Sequence, residues 1–327
     1  MNLHEDKALF AEIVLRASQP VESGGFGINA GFIEKDYWIT RSLQQLSKSS
    51  AVDYAVFKGG TSLSKIYGIG ARFSEDVDVA VVRTADMSDA KLKSTIKTVG
   101  KTMSEGLTEI ERPGLTSKGS RYRKTYHVYP QIEGILPTGS MLSGQLLIEI
   151  NSFANPYPFA LQKVDSFVLQ YLMGSGHNDI IEEYDLSPFD INVLDKRTTL
   201  TEKLVSLIRF SLSPNPIVDI SSKIRHFYDL YYLMNDPECH EYVHSTQFTN
   251  DFMALLNHDR EKFDQPEGWN RKSMQDSTLI SDWKTAWRKL AQKYSTELPP
   301  LAYSAIPPVD AIESKLEDLL KIIGNLE

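Results

Sequence analysis

The chain is 327 residues long, enough for about two domains that each bury a core. Hydrophobic residues make up 41% and charged residues 24%, which excludes an integral membrane protein, a collagen and a wholly disordered chain. Thirty-five Lys and Arg stand against 43 Asp and Glu, and the net charge of -8 excludes a uniformly basic nucleic-acid binder. Residues 1–10 include His4, Glu5, Asp6 and Lys7 and are too polar for a signal peptide. No run approaches the roughly 18 apolar residues of a membrane helix. The single cysteine, Cys239, cannot form an internal disulfide. A cytoplasmic protein with an incidental or structural cysteine is expected.

Apolar residues at helical spacing predict a first helix over about 3–17, with Leu3, Phe10, Ile13, Val14 and Ala17. After a glycine-rich break at Gly24, Gly25 and Gly27, a second helix is predicted over about 31–47. Tyr54–Phe57 reads as a short strand that ends at Lys58-Gly59-Gly60, with Thr61 or Ser62 capping a helix that contains Leu63, Ile66 and Tyr67. Residues 74–82 read as a strand with acids at its entrance, and 88–107 as a helix with its lysines outside. Strands are predicted at Tyr122–Tyr129, Leu146–Ile150, Phe167–Leu172 and Ile191–Leu194. Near residue 196 the pattern turns helical, over about 199–211, 222–235, 247–257, 278–294 and 309–323, with proline-rich loops between. The expectation is an α+β chain with a mixed sheet, divided into an α/β domain at 1–195 and a helical domain at 196–327.

Three features in order carry chemistry: Gly59-Gly60-Thr61-Ser62 after a strand, Asp76-x-Asp78 on a strand, and Glu149 inside a later strand. Side chains at i and i+2 of a strand share a face, so Asp76 and Asp78 project together. Adjacent carboxylates repel unless a cation lies between them, which suits Mg²⁺. Alternation places Glu149 opposite Ile148 and Ile150. If its strand neighbours the aspartate strand, Glu149 becomes a third oxygen ligand, and three carboxylates holding two Mg²⁺ ions suit in-line nucleotidyl transfer from an NTP. The Gly-Gly turn permits close backbone approach to phosphate, with Lys58, Thr61 and Ser62 as further donors. Taken singly, a D-x-D pair, a glycine turn and a strand glutamate each have ordinary structural readings. Their order, each on its predicted element, is the specific signal.

That order matches the signature of the polymerase-beta-like nucleotidyltransferase fold. Phe57-Lys58-Gly59-Gly60-Thr61-Ser62 and Arg72-Phe73-Ser74-Glu75-Asp76-Val77-Asp78 further resemble the AbiEii/AbiGii nucleotidyltransferase toxin family, which includes the MenT toxins. So do Glu34-Lys35-Asp36-Tyr37-Trp38, the run Thr199–Leu204 and the run Lys223–Leu230. The similar segments span about residues 30–235, and the last ninety or so residues carry no matching motif. The resemblance implies a toxin paired with a cognate antitoxin that moves nucleotides from an NTP onto RNA, in particular the tRNA 3′ end, and so blocks translation. It implies that Asp76 and Asp78 bind metal, with Glu149 in the third-carboxylate place. Lys203 falls at the lysine expected near the nucleotide phosphates, and Asp229 at a further catalytic aspartate. Two other outcomes stay open: transfer to a protein or small-molecule acceptor, and an inactive nucleotidyltransferase fold that serves as a binding module.

Residue chemistry alone leaves the second half more open. A lysine near a helix start, as Lys203 is predicted to be, is repelled by the helix dipole and wants an anion, either a phosphate or a surface carboxylate. Asp229, inside an apolar helical run, needs a partner, and Arg225 at i-4 would make a structural ion pair. Arg209 is a candidate phosphate ligand or a helix-surface residue, and His226 a packing histidine.

Residues 91–126 hold nine Lys and Arg against three Glu, a local charge of +6 that leaves -14 on the rest of the chain. Between Arg112 and Ile132 there is no acid, and Tyr122, Tyr126, His127 and Tyr129 alternate with cations. Arg121, Arg123 and Lys124 are therefore candidates for RNA binding, cations gripping phosphates while aromatics stack on bases. The ordinary reading of the same stretch is a solvated helix face followed by a strand.

Overall fold

The computed structural model describes residues 1–74, 76–135 and 144–326. They form two compact units, one of Met1–Tyr67 with Phe73–Leu194 and one of Gly68–Arg72 with Asp195–Glu327. The division at 194/195 lies one residue from the expected boundary. The passage of Gly68–Arg72 into the second unit had no counterpart in the sequence pattern.

The first unit runs α1 (Lys7–Ala17), α2 (Ala30–Ser47), β1 (Ala55–Lys58), α3 (Gly59–Lys65), β2 (Asp76–Val81) and α4 (Asp89–Met103). It continues with β3 (Thr108–Ile110), β4 (Ser117–Lys118), β5 (Tyr122–Val128), β6 (Gln145–Asn151), β7 (Phe159–Val164), α5 (Phe167–Gly174), α6 (Asn178–Glu183) and β8 (Phe189–Leu194). The sheet order is β3-β5-β6-β2-β1-β8-β7, with β4 paired to β5. The β2/β6 and β1/β8 pairs are parallel and the rest antiparallel, so the sheet is mixed.

One face of the sheet is closed. Val77, Val79 and Val81 of β2, Leu146, Ile148 and Ile150 of β6, and Thr125 and His127 of β5 are buried there beneath α2 and α4. Trp38 of α2 stacks on Tyr129 with ring centres 5.5 Å apart. A Cβ on Gly100 of α4 would come within 3.3 Å of Ile150 Cδ1. The other face presents Asp76, Asp78 and Glu149 by strand alternation. An apolar cluster of Val56, Ala80, Val82 and Leu194 fills that face beyond the aspartates.

The Glu34–Trp38 motif lies buried in α2 and works as a hub of this unit. Asp36 holds Lys65 at 2.6 Å and accepts the Phe167 N–H at 2.9 Å, which ties α2 to α3 and α5. Glu34 Oε1 accepts the Ile132 N–H at 2.7 Å.

The segment 167–172, expected as a strand, is the helix α5. Its run Phe167-Val168-Leu169-Gln170-Tyr171-Leu172 suits either element by composition. The Ser166 side chain caps the first turn by accepting the Leu169 N–H, and Val168, Leu169 and Leu172 bury a helical face. The strand at the sheet edge is instead β7, FALQKV, whose apolar residues do not alternate and of whose six residues three are exposed.

The second unit is helical: α7 (Lys196–Ser211), α8 (Pro216–Ser221), α9 (Ile224–Asn235), α10 (Pro237–Val243), α11 (Thr246–Lys262), α12 (Thr278–Ser281), α13 (Trp283–Glu297) and α14 (Val309–Gly324). The α7 and α9 helices pack on each other, with α11 against α7 and α14 against α9. Phe227 packs on Trp283 and Trp287 at 5.9 and 5.2 Å between ring centres. The helix expected over 278–294 breaks at Asp282, whose ψ of 57° is not helical. Cys239 is buried and unbonded to any other cysteine, and burial pushes its thiol pKa upward. Among the described residues no helix is long and apolar enough to cross a membrane.

Gly68–Arg72 enters this unit as an irregular strap, with Gly68 and Gly70 at positive φ. Arg72 forms a β-bridge with Ala302. The Tyr303 N–H donates to the Ala71 carbonyl at 2.9 Å, and the Ala71 N–H donates to the Tyr228 hydroxyl at 2.9 Å.

Candidate active site

Four adjacent strands bring charged residues into one row on the open face. Lys58 of β1 pairs with Asp78 of β2, Asp78 with Glu149 of β6, and Glu149 with Lys124 of β5. The order across the sheet is therefore Lys–Asp–Glu–Lys. Asp76 lies two residues before Asp78 and faces the same way. The parallel β2/β6 pair supplies the adjacency of Asp78 and Glu149, which the sequence could state only as a condition.

The Gly-Gly turn closes against this row. Gly59 has φ +81°, and a Cβ there would sit 2.2 Å from Asp78 Oδ2. Backbone conformation and close approach both require glycine at this position. Helix α3 starts at Gly59 without a side-chain cap, where Thr61 or Ser62 was expected to cap it. The Thr61 hydroxyl donates to the Asp76 carbonyl at 2.5 Å and ties α3 to the start of β2. Ser62 is fully buried, and its hydroxyl donates to the Gly59 carbonyl at 2.9 Å. Enclosure removes Ser62 from a ligand-facing position, and both hydroxyls hold the turn. Lys58 is buried at the end of β1.

Glu149 is held from the β5 side. Lys124 Nζ stands 3.7 Å from its Oε2, and Tyr122, two residues earlier on β5, shares that face. Burial raises the Tyr122 pKa, and the charges of Glu149 and Asp78 raise it further. The Tyr122 ring lies 6.0 Å from that of Phe153. Further along β5, Tyr126 is covered by the Arg112 guanidinium at 4.9 Å. Among the described residues no three His, Cys, Asp or Glu side chains converge as a ready metal cluster. The donor set still suits a hard divalent cation, because it consists of carboxylates on one face with Gly59 leaving room beside Asp78.

The basic segment does not form one surface. Arg123 and Lys124 are neighbours on β5 and point to opposite faces. Arg123 lies on the closed side, where its Nε is 3.6 Å from the position of a Cβ on Gly100. Arg121 is exposed and reaches Asp89, at the start of α4, at 3.7 Å. Helix α4 buries Leu92, Ile96 and Val99 and turns Lys91, Lys93, Lys97 and Lys101 outward, on the side of the sheet away from the carboxylates. Of the trio Arg121, Arg123 and Lys124, only Lys124 shares the carboxylate face.

In the second unit Lys203 and Asp229 meet. Lys203 Nζ is 2.7 Å from Asp229 Oδ2. Arg72 completes a buried triad, with Nε 2.7 Å from Oδ1 and Nη2 2.6 Å from Oδ2. Burial alone would raise the Asp229 pKa, but Arg72 and Lys203 overcome it and hold the carboxyl well below the usual range. Both Asp229 oxygens are thus taken by Arg72 and Lys203, where the sequence pointed to Arg225. No local pattern announces Arg72, which lies 157 residues earlier.

Arg209 does not join Lys203. Six positions along a helix turn the two side chains about 120° apart. Arg209 is packed among Phe210, Phe263 and Trp269 and pairs with Asp259 at 3.4 Å. It is a structural residue of the helical unit rather than a phosphate ligand. Burial lowers the pKa of His226, as do Lys203 and Lys223, which keeps its imidazole neutral.

Comparison with known proteins gives the lineage. The solved structure of JHP933 from Helicobacter pylori is similar with a TM-score of 0.39 and 12% identity, covering 89% of this chain and 91% of that one. MenT4, a nucleotidyltransferase toxin from Mycobacterium tuberculosis H37Rv, is similar with a TM-score of 0.44 and 14% identity, covering 97% of this chain and 98% of that one. No curated protein sequence matches. The family described as nucleotidyl transferase AbiEii toxin, type IV TA system, matches residues 41–317, well into the helices where no motif was found. The chain belongs to the AbiEii nucleotidyltransferase toxin family of type IV toxin–antitoxin systems.

Proposed function

We propose that this chain transfers a nucleotidyl group from an NTP to RNA, with the tRNA 3′ end as acceptor, in the cytoplasm and in the presence of Mg²⁺. The observation that carries the reading is the in-register pair Asp78 and Glu149, with Asp76 on the same face and Gly59 backed onto Asp78. Asp76 and Asp78, with Glu149, would hold the cation. Bound Mg²⁺ supplies neutralisation of the triphosphate and lowers the pKa of the attacking hydroxyl. Gly59 and Gly60 keep the backbone beside the carboxylates free of side chains, and Lys58 lies at the end of the row beside Asp78. By its family resemblance, Lys203 is the lysine assigned to the nucleotide phosphates. Asp229 then acts as a positioning residue, because its carboxylate fixes Lys203 and Arg72. An RNA acceptor is favoured by the aromatic and cationic side chains Tyr122, Lys124 and Tyr126 on the carboxylate face, which suit an unpaired strand. Membership of a type IV system implies a cognate antitoxin.

The test is incubation of the purified chain with each labelled NTP and total tRNA. Label is expected on RNA from one preferred NTP, lost on addition of EDTA and lost with Asp78→Asn. Label on protein or on a small molecule would redirect the acceptor. Absence of label from every acceptor would leave a binding module, and full transfer in EDTA would remove the metal.

A further inference from the structure

Two lysine–carboxylate pairs of this protein, Lys203–Asp229 and Lys124–Glu149, are built differently. Lys203 meets Asp229 at 2.7 Å, with side chains only 8% and 5% exposed, and Arg72 locks the same carboxylate from a second direction. Lys124 meets Glu149 at 3.7 Å, with side chains 28% and 25% exposed. The first pair is a fixture. The second is loose, and its ammonium sits on a flexible four-carbon stem with water within reach.

The position of the loose pair gives it a role. Glu149 and Asp78 are register partners on adjacent parallel strands, so two negative charges face each other across one strand spacing. Without a divalent cation that repulsion needs relief; Lys58 stands beside Asp78, and Lys124, the register partner of Glu149 on its other side, supplies it for Glu149. We propose that Lys124 is a stand-in cation for Glu149: its ammonium neutralises the carboxylate in the metal-free chain and competes with the divalent cation for it. This rests on the metal-dependent reading above. Binding of the cation displaces the ammonium from Glu149 without breaking a covalent bond or moving a proton. Lys124 thus sets how much metal the site requires, and toward the cation it is a positioning residue.

The test is metal binding by the full chain, read without turnover. Free Mn²⁺ is followed by electron paramagnetic resonance at low ionic strength for the native chain, Lys124→Met, Lys124→Arg, Glu149→Gln and the Lys124→Met/Glu149→Gln double variant. Circular dichroism and melting confirm that each is folded, and Met preserves the aliphatic stem on β5. Lys124→Met is expected to bind Mn²⁺ about three- to tenfold more tightly, Lys124→Arg to stay near the native value, and Glu149→Gln to bind more weakly. In the Glu149→Gln background the Lys124 change is expected to have no effect, which is the signature of competition at that carboxylate. Native binding with Lys124→Met unchanged or weakened would overturn the proposal and leave the metal reading standing. No Mn²⁺ binding by the native chain would overturn both.

Discussion

Gly59 shows how one residue carries both backbone and site geometry. Its φ of +81° is costly for any L side chain, and a Cβ would sit 2.2 Å from Asp78 Oδ2. The Gly59→Ala variant must therefore pay about 1–2 kcal/mol of backbone strain and must also push the aspartate off its position. We expect nucleotidyl transfer to fall on the order of a hundredfold, while the melting curve stays cooperative with a midpoint only a few degrees lower. Transfer at the native rate would show that Asp78 tolerates displacement and is not the metal-side carboxylate. The glycine pair was legible in the sequence through its company, a strand before it and the Asp76-x-Asp78 strand after it. The carboxylate it would press against was not, since that depends on the β1/β2 register. The same limit applies to Asp229. A buried acid in an apolar helix announces that it needs a partner, but only the fold could bring Arg72 to it from outside its own helix.

At the scale of elements, alternation along a strand was readable and pairing between strands was not. The period of two on β6 correctly set Glu149 opposite Ile148 and Ile150. The same rule applied to β5 separates Arg123 from Lys124, so the trio named for RNA binding could not share a face once 122–128 formed a strand. Local charge counting overlooked this because it sums residues without regard to direction. Composition also failed at α5, where an apolar run fits both a strand and a helix and a serine cap decides. Within α2 the buried Glu34 makes a test of its own. Burial pushes its carboxyl up to about 7, against an opposing hydrogen bond from Ile132. The folded chain thus holds this proton more tightly than the unfolded chain does. Its contribution to stability is full below the ordinary value of 4.5 and is lost as pH rises from there through about 7. Glu34→Gln cannot ionise and keeps the oxygen that accepts the Ile132 N–H. Thermal melts across pH 5 to 8 should show the native midpoint falling relative to this variant, which ends about 2–4 °C higher at pH 8. Parallel curves would mean that Glu34 reaches water.

Over the whole molecule, the net charge of -8 conceals a division that matters for function. The +6 of residues 91–126 is spread by the sheet to two sides, so most of it lies behind the carboxylate face and only Lys124 stands in the row. Chain order conceals a second division. Arg72 lies four residues before Asp76 in sequence, inside what reads as the nucleotidyltransferase half, yet it belongs to the helical unit through Asp229, Ala302 and Tyr228. A substitution there should be felt mainly in the C-terminal half. Removing one partner of a buried ion pair is costly because it leaves uncompensated charge, and here Lys203 still covers part of Asp229, so we expect a loss of roughly 3 kcal/mol for Arg72→Met, at the lower end of the usual range. The tryptophans make the location readable: Trp269, Trp283 and Trp287 lie in the helical unit and Trp38 in the other. Urea unfolding followed by tryptophan emission should therefore show the midpoint of Arg72→Met shifted well below the native one. Arg121→Met, which changes an arginine with an exposed side chain, should stay within about 0.5 kcal/mol of native. Equal midpoints for the two variants would mean that the strap does not stabilise the helical unit and that Asp229 is adequately paired by Lys203 alone.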